Sequence, residues 1–351
     1  MKPLITFALF AYNQERFIRE ALESALAQTY SPLEIIVMDD CSTDHTFEIV
    51  RRTAAEYHGP HLVKVFRNST NLGIGGNVNR AIERCSGEFV VFAAGDDISV
   101  PSRTDIIFKA WEESGKQALG VFSSHIIISE NGRERGIEGT RGNRSDIRLF
   151  RRLDGNLFRF LSTRDPMVNG CTAAWSPELF RYFGPVRSDL EDVVLSFRAL
   201  AIGSLFYIHQ PMVKWRRHGN NVSFFQGEAD KSFEDREKQL RWVDEMTVRA
   251  FDNIIDDIKI LREKGRISIC YADRLKAEAR RVSRRYSVER QMMDENSLQR
   301  LLTVAAAVGH GDLRCALKSA PRALPVPIYR ALFRLRAKRQ SALQNDTNHR
   351  I

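Results

Sequence analysis

Along the first 130 residues the pattern of apolar and polar positions switches between two periods. Apolar runs of strand length at 4–10, 33–38, 62–66 and 88–94 alternate with stretches whose apolar residues recur at helical spacing. Phe17, Ala21, Leu22, Ala25 and Leu26 mark the first helix. Phe47, Ile49 and Val50 mark the second, after Ser42, Thr43 and Asp44 as candidate caps. A Gly-rich stretch at 71–77 opens a third helix that runs to about residue 85. Strands separated by helices of this length predict a parallel sheet in an α/β layer fold. Ligands of such sheets bind off the carboxyl ends of the strands. Three polar clusters fall at those ends: Tyr12-Asn13, Asp39-Asp40 and Asp96-Asp97. They are expected to converge on one crevice.

Residues 131–165 are rich in Gly, Arg, Asn and Asp and show little periodicity, which reads as a long loop region. Mixed structure returns over 166–225. A turn at Asn169-Gly170 precedes a strand near 172–175. A helix from Ser176, a helix over 193–201 and strands up to Trp215 follow. From about Phe224 the pattern is helical, with breaks at Gly265, at 309–311 and at Pro321, Pro325 and Pro327. The stretches 301–308 and 313–317 read as a helix pair. Within 328–339, Ile328, Leu332 and Leu335 share a stripe that five basic residues flank. The predicted organisation is an α/β portion at about 1–130, a loop-rich and then mixed portion at about 131–225, and a helical basic extension over 226–351.

Composition narrows the class. The chain has 351 residues and is 43% hydrophobic, enough to bury a globular core. No run approaches the roughly 18 apolar residues of a membrane span. The opening residues lead straight into a strand pattern, which gives the expectation of a cytoplasmic protein. Five cysteines without CxxC spacing argue against a disulfide framework and a structural zinc site. The net charge of +9 is uneven: residues 1–230 carry −1, and residues 301–351 alone carry +7. A basic tail on a near-neutral body suits an anionic membrane surface or an acidic partner. A nucleic-acid enzyme would be basic around its catalytic part. A solvated helical face explains the same charge without a partner.

Candidate chemistry gathers in three places. The adjacent acids Asp96 and Asp97 repel, and a divalent cation would relieve that penalty; hard oxygen ligands suit Mg2+ or Mn2+. A turn with two solvated acids is the plainer alternative. Glu191-Asp192 stands before an apolar-periodic helix, so either acid could cap it or favour its dipole. His218 follows Trp215-Arg216-Arg217, either as a surface histidine or as a ligand. Trp175 and Trp215 are candidates for stacking on a ring-shaped ligand or for ordinary packing.

Three motifs together are more specific. The runs Ile5-Thr6-Phe7-Ala8-Leu9-Phe10-Ala11-Tyr12-Asn13, Ala25-Leu26-Ala27-Gln28-Thr29 and Glu34 through Asp40-Cys41-Ser42-Thr43-Asp44 resemble the start of family 2 glycosyltransferases. Asn71-Leu72-Gly73, Gly95-Asp96-Asp97-Ile98, Glu191-Asp192 and Trp215 through Ser223 resemble later elements of that family, in order. The resemblance covers about residues 3–225. It implies a glycosyltransferase A fold, a nucleoside-diphosphate sugar donor, a divalent metal, and inversion at the anomeric carbon. By motif, Tyr12 and Asn13 would lie beside the nucleotide, and Asp40 would accept a hydrogen bond from the base. Asp39 is the alternative there, as a helix cap. Asn71 and Asn77 would line the same pocket. Asp96 would lie near the ribose and Asp97 would bind the metal. Asp192 would be the general base, with Glu191 as fallback. His218 or Arg216 would reach the diphosphate or the metal.

Two departures stand out: Ala94, where many members carry another acid, and Gly76, where many carry an arginine. The implied acceptor is a glycan or lipid-linked glycan, with cell-surface polysaccharide assembly as a common role. The alternative is a non-catalytic sugar- or nucleotide-binding scaffold of a polysaccharide assembly complex. A nucleotidyltransferase would want a basic Gly-rich loop after the first strand, and a dehydrogenase a GxGxxG; neither is present.

Overall fold

The computed structural model describes residues 2–139, 150–153, 155–165, 168–219, 221 and 233–294. Strands and helices alternate through the first part: β1 (Ile5–Ala11), α1 (Ile18–Leu26), β2 (Leu33–Asp39), α2 (Thr46–Ala55), β3 (Leu62–Arg67), α3 (Gly73–Ile82) and β4 (Phe89–Ala94). A short β5 (Ile98–Ser99), α4 (Arg103–Glu113) and β6 (Ala118–Ser129) follow. Next come β7 (Glu134–Glu138), β8 (Phe150–Leu153), α5 (Leu157–Thr163) and a single 3-10 turn at Gly170–Thr172. The chain continues through β9 (Ala173–Trp175), α6 (Glu178–Phe183), α7 (Glu191–Ile202), β10 (Ser204–Arg217), α8 (Phe233–Glu263) and α9 (Ile269–Asp294).

One ten-stranded sheet runs in the order β3-β2-β1-β4-β9-β6-β10-β5, with β7 on β6 and β8 on β10. The first four strands of that order are parallel, as their alternation with helices requires. Buried on both faces, β1, β2 and β4 are nearly continuous apolar runs. Their Phe7, Leu9, Ile35, Val37, Phe89 and Val91 form a core with Ile18, Leu22 and Ala25 of α1. The register pairs Ala11 with Asp39 and Phe10 with Ala94, so the polar clusters expected at the strand ends do leave one sheet edge.

The sheet is mixed rather than parallel throughout. Strand β9 runs antiparallel to both β4 and β6, while β6 and β10 are parallel to each other. At three residues, Ala173-Ala174-Trp175, β9 is too short for a period to be read. The expected loop over 131–165 is corrected in part: it holds β7, β8 and α5, while 140–149 and 154 fall outside the described residues. Every side chain of β7 is exposed, so its sequence carries no apolar alternation.

Among the described residues, contacts group those up to His218 with Ala250–Ala279 as one compact unit; those within 219–249 and 280–294 fall in the other. Part of the segment read as an extension therefore belongs with the α/β unit. Ala250, Phe251, Ile254, Ile258 and Leu261 recur at helical spacing on α8 and are all buried. A buried ion pair accompanies them: Arg198 of α7 donates from Nε to Asp257 Oδ2 at 2.8 Å. The helices expected at 301–308, 313–317 and 328–339 lie outside the described residues. No helix among the described residues is long and apolar enough to cross a membrane.

Candidate active site

At the carboxyl end of β2 the two adjacent aspartates do different work. Asp39 Oδ2 accepts the Ser42 amide at 3.0 Å and pairs with Arg67, closing the turn after the strand. It does not cap α2; there Asp44 accepts the Thr46 amide at 2.9 Å. Asp40, also buried, faces the start of α3. Its Oδ1 accepts Asn68 Nδ2 at 2.8 Å and the Leu72 amide at 2.9 Å, and its Oδ2 accepts the Gly73 amide at 2.9 Å. Orphan amides at a helix start need acceptors, and a carboxylate there also suits the dipole.

Asn77 is buried rather than open to a pocket. It donates to the Met38 carbonyl at 3.1 Å and accepts from Asn68 at 2.9 Å, so it supports Asp40 through Asn68. Asn71 is exposed, and its side chain accepts the Gly73 amide at 3.0 Å. Asn13, in the left-handed region at φ 51°, ties two strand-end loops together: its Oδ1 accepts the Thr43 amide at 2.8 Å and its own amide donates to Ser42 Oγ. Tyr12 beside it is 45% exposed, the one large ring standing open at this edge.

Beyond β4 lies the second acid pair. Asp97 Oδ1 accepts the Arg216 amide of β10 at 2.8 Å, and the Cys171 thiol donates to the same carboxyl group. Burial first, and the neighbouring Asp96 second, push the Asp97 carboxyl well above the usual range. His218 meets Asp96, with Nε2 2.9 Å from Oδ2, rather than Asp97, and its ring lies against Phe17. Arg216 is 2% exposed and braced internally. Its nitrogens donate to the Asp96 carbonyl at 2.9 Å, the Glu130 carbonyl at 2.8 Å and Glu20 at 2.5 Å. That arrangement makes Arg216 a brace under the acid pair instead of the expected diphosphate contact.

Strand alternation sends the neighbours of Arg216 and His218 to the opposite face. Trp215 there meets the His125 ring edge-on and lies under Arg217, while Trp175 is fully buried. Both tryptophans are packed.

Glu191 and Asp192 occupy the first turn of α7, inside the helix rather than before it. Asp192 Oδ1 accepts the Val193 amide at 2.7 Å. Burial, partly offset by that amide, by Arg164 and by the Gly170 amide, pushes Asp192 up to about 6. Glu191 is driven well above its ordinary value by burial and then by Asp192 beside it. A Cβ on Gly170 would lie 2.2 Å from Glu191 Oε1, so a side chain there would have to displace the Glu191 carboxyl.

Two short relays join these groups. Cys171, against Asp97, adjoins Gly170, which touches Glu191 and Asp192. From the other side Asp40 holds the Gly73 amide, and Asp189 holds the Gly75 amide at 3.0 Å, three residues before Asp192. Sequence reasoning missed Asn68, Cys171, Arg103 and Asp189. Asn68 carried a signal, since it follows β3 as Asp40 follows β2. Arg103 carried none: it is fully buried under the site and donates to the carbonyls of Phe92 and Cys171.

The sheet edge, the acid pair after β4 and the order of elements match a known pattern. Residues 6–174 match the model of glycosyl transferase family 2. The chain carries a glycosyl transferase family 2 region over those residues, just under half of its length. An uncharacterized glycosyltransferase of Rickettsia typhi is 27% identical over 220 residues, which is 62% of this chain and 64% of that protein. This chain thus spans slightly less than two thirds of that relative's length. An uncharacterized glycosyltransferase of Haemophilus influenzae is 26% identical over 277 residues, 78% of this chain and 82% of the relative. Among solved structures, the mannosyltransferase PcManGT of Pyrobaculum calidifontis, in complex with GDP-Man and Mn2+, aligns with a TM-score of 0.50 and 19% identity. That alignment covers 98% of this chain and 87% of PcManGT. The fold is the glycosyltransferase A type, with helices following the sheet.

Proposed function

We propose that this chain is an inverting glycosyltransferase that moves a sugar from a nucleoside-diphosphate donor to a glycan or lipid-linked glycan hydroxyl, with Asp192 as general base. The observation that carries the reading is Asp192 in the first turn of α7: a residue of intermediate exposure whose carboxyl is desolvated and pushed up to about 6, next to Glu191. A base that works near neutral pH needs a value in that region and access to the proton it takes. Glu191, buried beside it and pushed well above its ordinary value by burial and then by Asp192, is the fallback.

The residues present fit a divalent cation of one particular kind. Asp96 and His218 offer an oxygen and a nitrogen 2.9 Å apart, beside the buried Asp97. Among the described residues no group of three or more His, Cys, Asp or Glu forms a ready cage. Mg2+ and Mn2+ in sugar-nucleotide chemistry keep waters and lean on phosphate oxygens, so a partial donor set suffices. Asp97, Asp96 and His218 would hold such an ion, which would supply charge to balance the leaving diphosphate. Arg216 keeps the acid pair in place from beneath. In this reading Asp40, fixed by three donors, is the contact to the nucleotide base that the motif implies. Tyr12 offers an open ring beside it. Asp192 takes the proton of the acceptor hydroxyl as the new glycosidic bond forms on the face away from the diphosphate.

The test is donor turnover. Nucleoside-diphosphate sugars are screened for slow hydrolysis with Mg2+, with Mn2+, and with chelator added. The reading expects at least one donor to turn over with a cation and to lose that turnover with chelator. Binding of donors without turnover under every condition would favour a non-catalytic scaffold.

A further inference from the structure

The glycines of α3 are crowded by protein. A Cβ on Gly73 would lie 2.7 Å from Asp189 Oδ1, and one on Gly75 would lie 2.4 Å from the Ser188 carbonyl oxygen. The segment between α6 and α7 is what approaches this helix start. Four hydrogen bonds fasten it. Asn79 Nδ2 donates to the Val186 carbonyl at 2.7 Å and its Oδ1 accepts the Val186 amide at 2.9 Å. Asp189 Oδ1 accepts the Gly75 amide at 3.0 Å. On the α8 side, the Arg187 amide donates to Asn253 Oδ1 at 2.8 Å. Two residues before Gly75, the Gly73 amide belongs to Asp40; three residues after Asp189 stands Asp192.

We propose that Asp189 is a positioning residue: by locking the 184–190 segment onto the first turn of α3, it sets where Asp192 stands relative to the pocket that Asp40 borders. The inference rests on the reading of Asp40 as a donor contact and Asp192 as base. One turn of helix thereby serves two carboxylates, Asp40 and Asp189. A rigid link of this kind matters because misplacing a reacting group by about 1 Å can cost about a hundredfold in rate. Glycine is required at position 75 because any side chain would push the segment, and the base with it, outward.

Asp189→Ala removes the acceptor; Asp189→Asn keeps a carbonyl oxygen for the Gly75 amide. Gly75→Ala displaces the segment and leaves Asp189 intact. The full chain and each variant are compared for transfer kcat, donor KM, melting temperature, and amide hydrogen exchange over 73–79 and 184–193. Asp189→Ala and Gly75→Ala should each lower kcat at least tenfold with donor KM within about twofold, the double variant should be no worse than the poorer single, and Asp189→Asn should recover most of the rate. Exchange should quicken in both segments in Asp189→Ala while the melting temperature holds. A merely structural role would lower the melting temperature and spare the split between kcat and KM. Asp189→Ala with wild-type kcat overturns the proposal. If the wild-type chain transfers no sugar, the functional reading fails, and the exchange result decides the link by itself: unchanged exchange at 184–193 in Asp189→Ala overturns it.

Discussion

Asp40, after β2, and the acids after β4 and at the start of α7 are handled in opposite ways. Asp40 is buried yet met by three donors: Asn68, Leu72 and Gly73. Asp97, Glu191 and Asp192 are desolvated with too little positive charge or too few donors near them, and all three are pushed upward. Burial disfavours an ionised group, and hydrogen bonds to its charged form offset that cost. A satisfied carboxylate is a fixed acceptor, suited to recognition. An unsatisfied one waits for a proton or a cation, and is suited to chemistry.

The largest expected effect comes from removing Asp192, the proposed base. Asp192→Asn should lower transfer by about 10²–10⁴-fold, the range of general acid–base catalysis, while a calorimetric titration with nucleotide gives nearly wild-type affinity. Loss of nucleotide binding in that variant would erase the distinction between the regions. Removing the satisfied acid should look different. Asp40→Ala leaves the Leu72 and Gly73 amides and the Asn68 side chain without their partner, at about 1–3 kcal/mol for a buried group so abandoned. Thermal melts should show the loss, and nucleotide affinity should fall roughly tenfold. Wild-type stability together with wild-type affinity would show that Asp40 neither holds α3 nor meets the donor.

Legibility in the sequence followed the same divide. Strands β1 to β4 were readable because parallel strands between helices are continuous apolar runs, and each one ends in a polar cluster. Asp40, Asp96 and Asp97 stood out by that placement. The half after β6 was poorly readable. β9 is three residues long, β7 exposes every side chain, and Pro211 interrupts the pairing of β10 with β6. What a side chain is bonded to was not readable either. Asn77 supports Asn68 instead of lining a pocket, and Arg216 braces the acid pair, because partners far apart in sequence fix both roles. Asp189 shows the limit most clearly: its partner is a glycine amide 114 positions away, and no spacing rule reaches that far.

Acceptor kcat/KM as a function of pH, measured at saturating donor and cation, tests the division of the acids most directly. Asp192 must be unprotonated to act, and burial lifts it to about 6, so the rate should rise with pH through about 6 and fall roughly tenfold for each unit below it. Asp192→Asn should abolish that limb. A profile that stays flat down to the ordinary carboxylate range near 4 would contradict the account, because the base would then be an acid that the fold had not pushed upward.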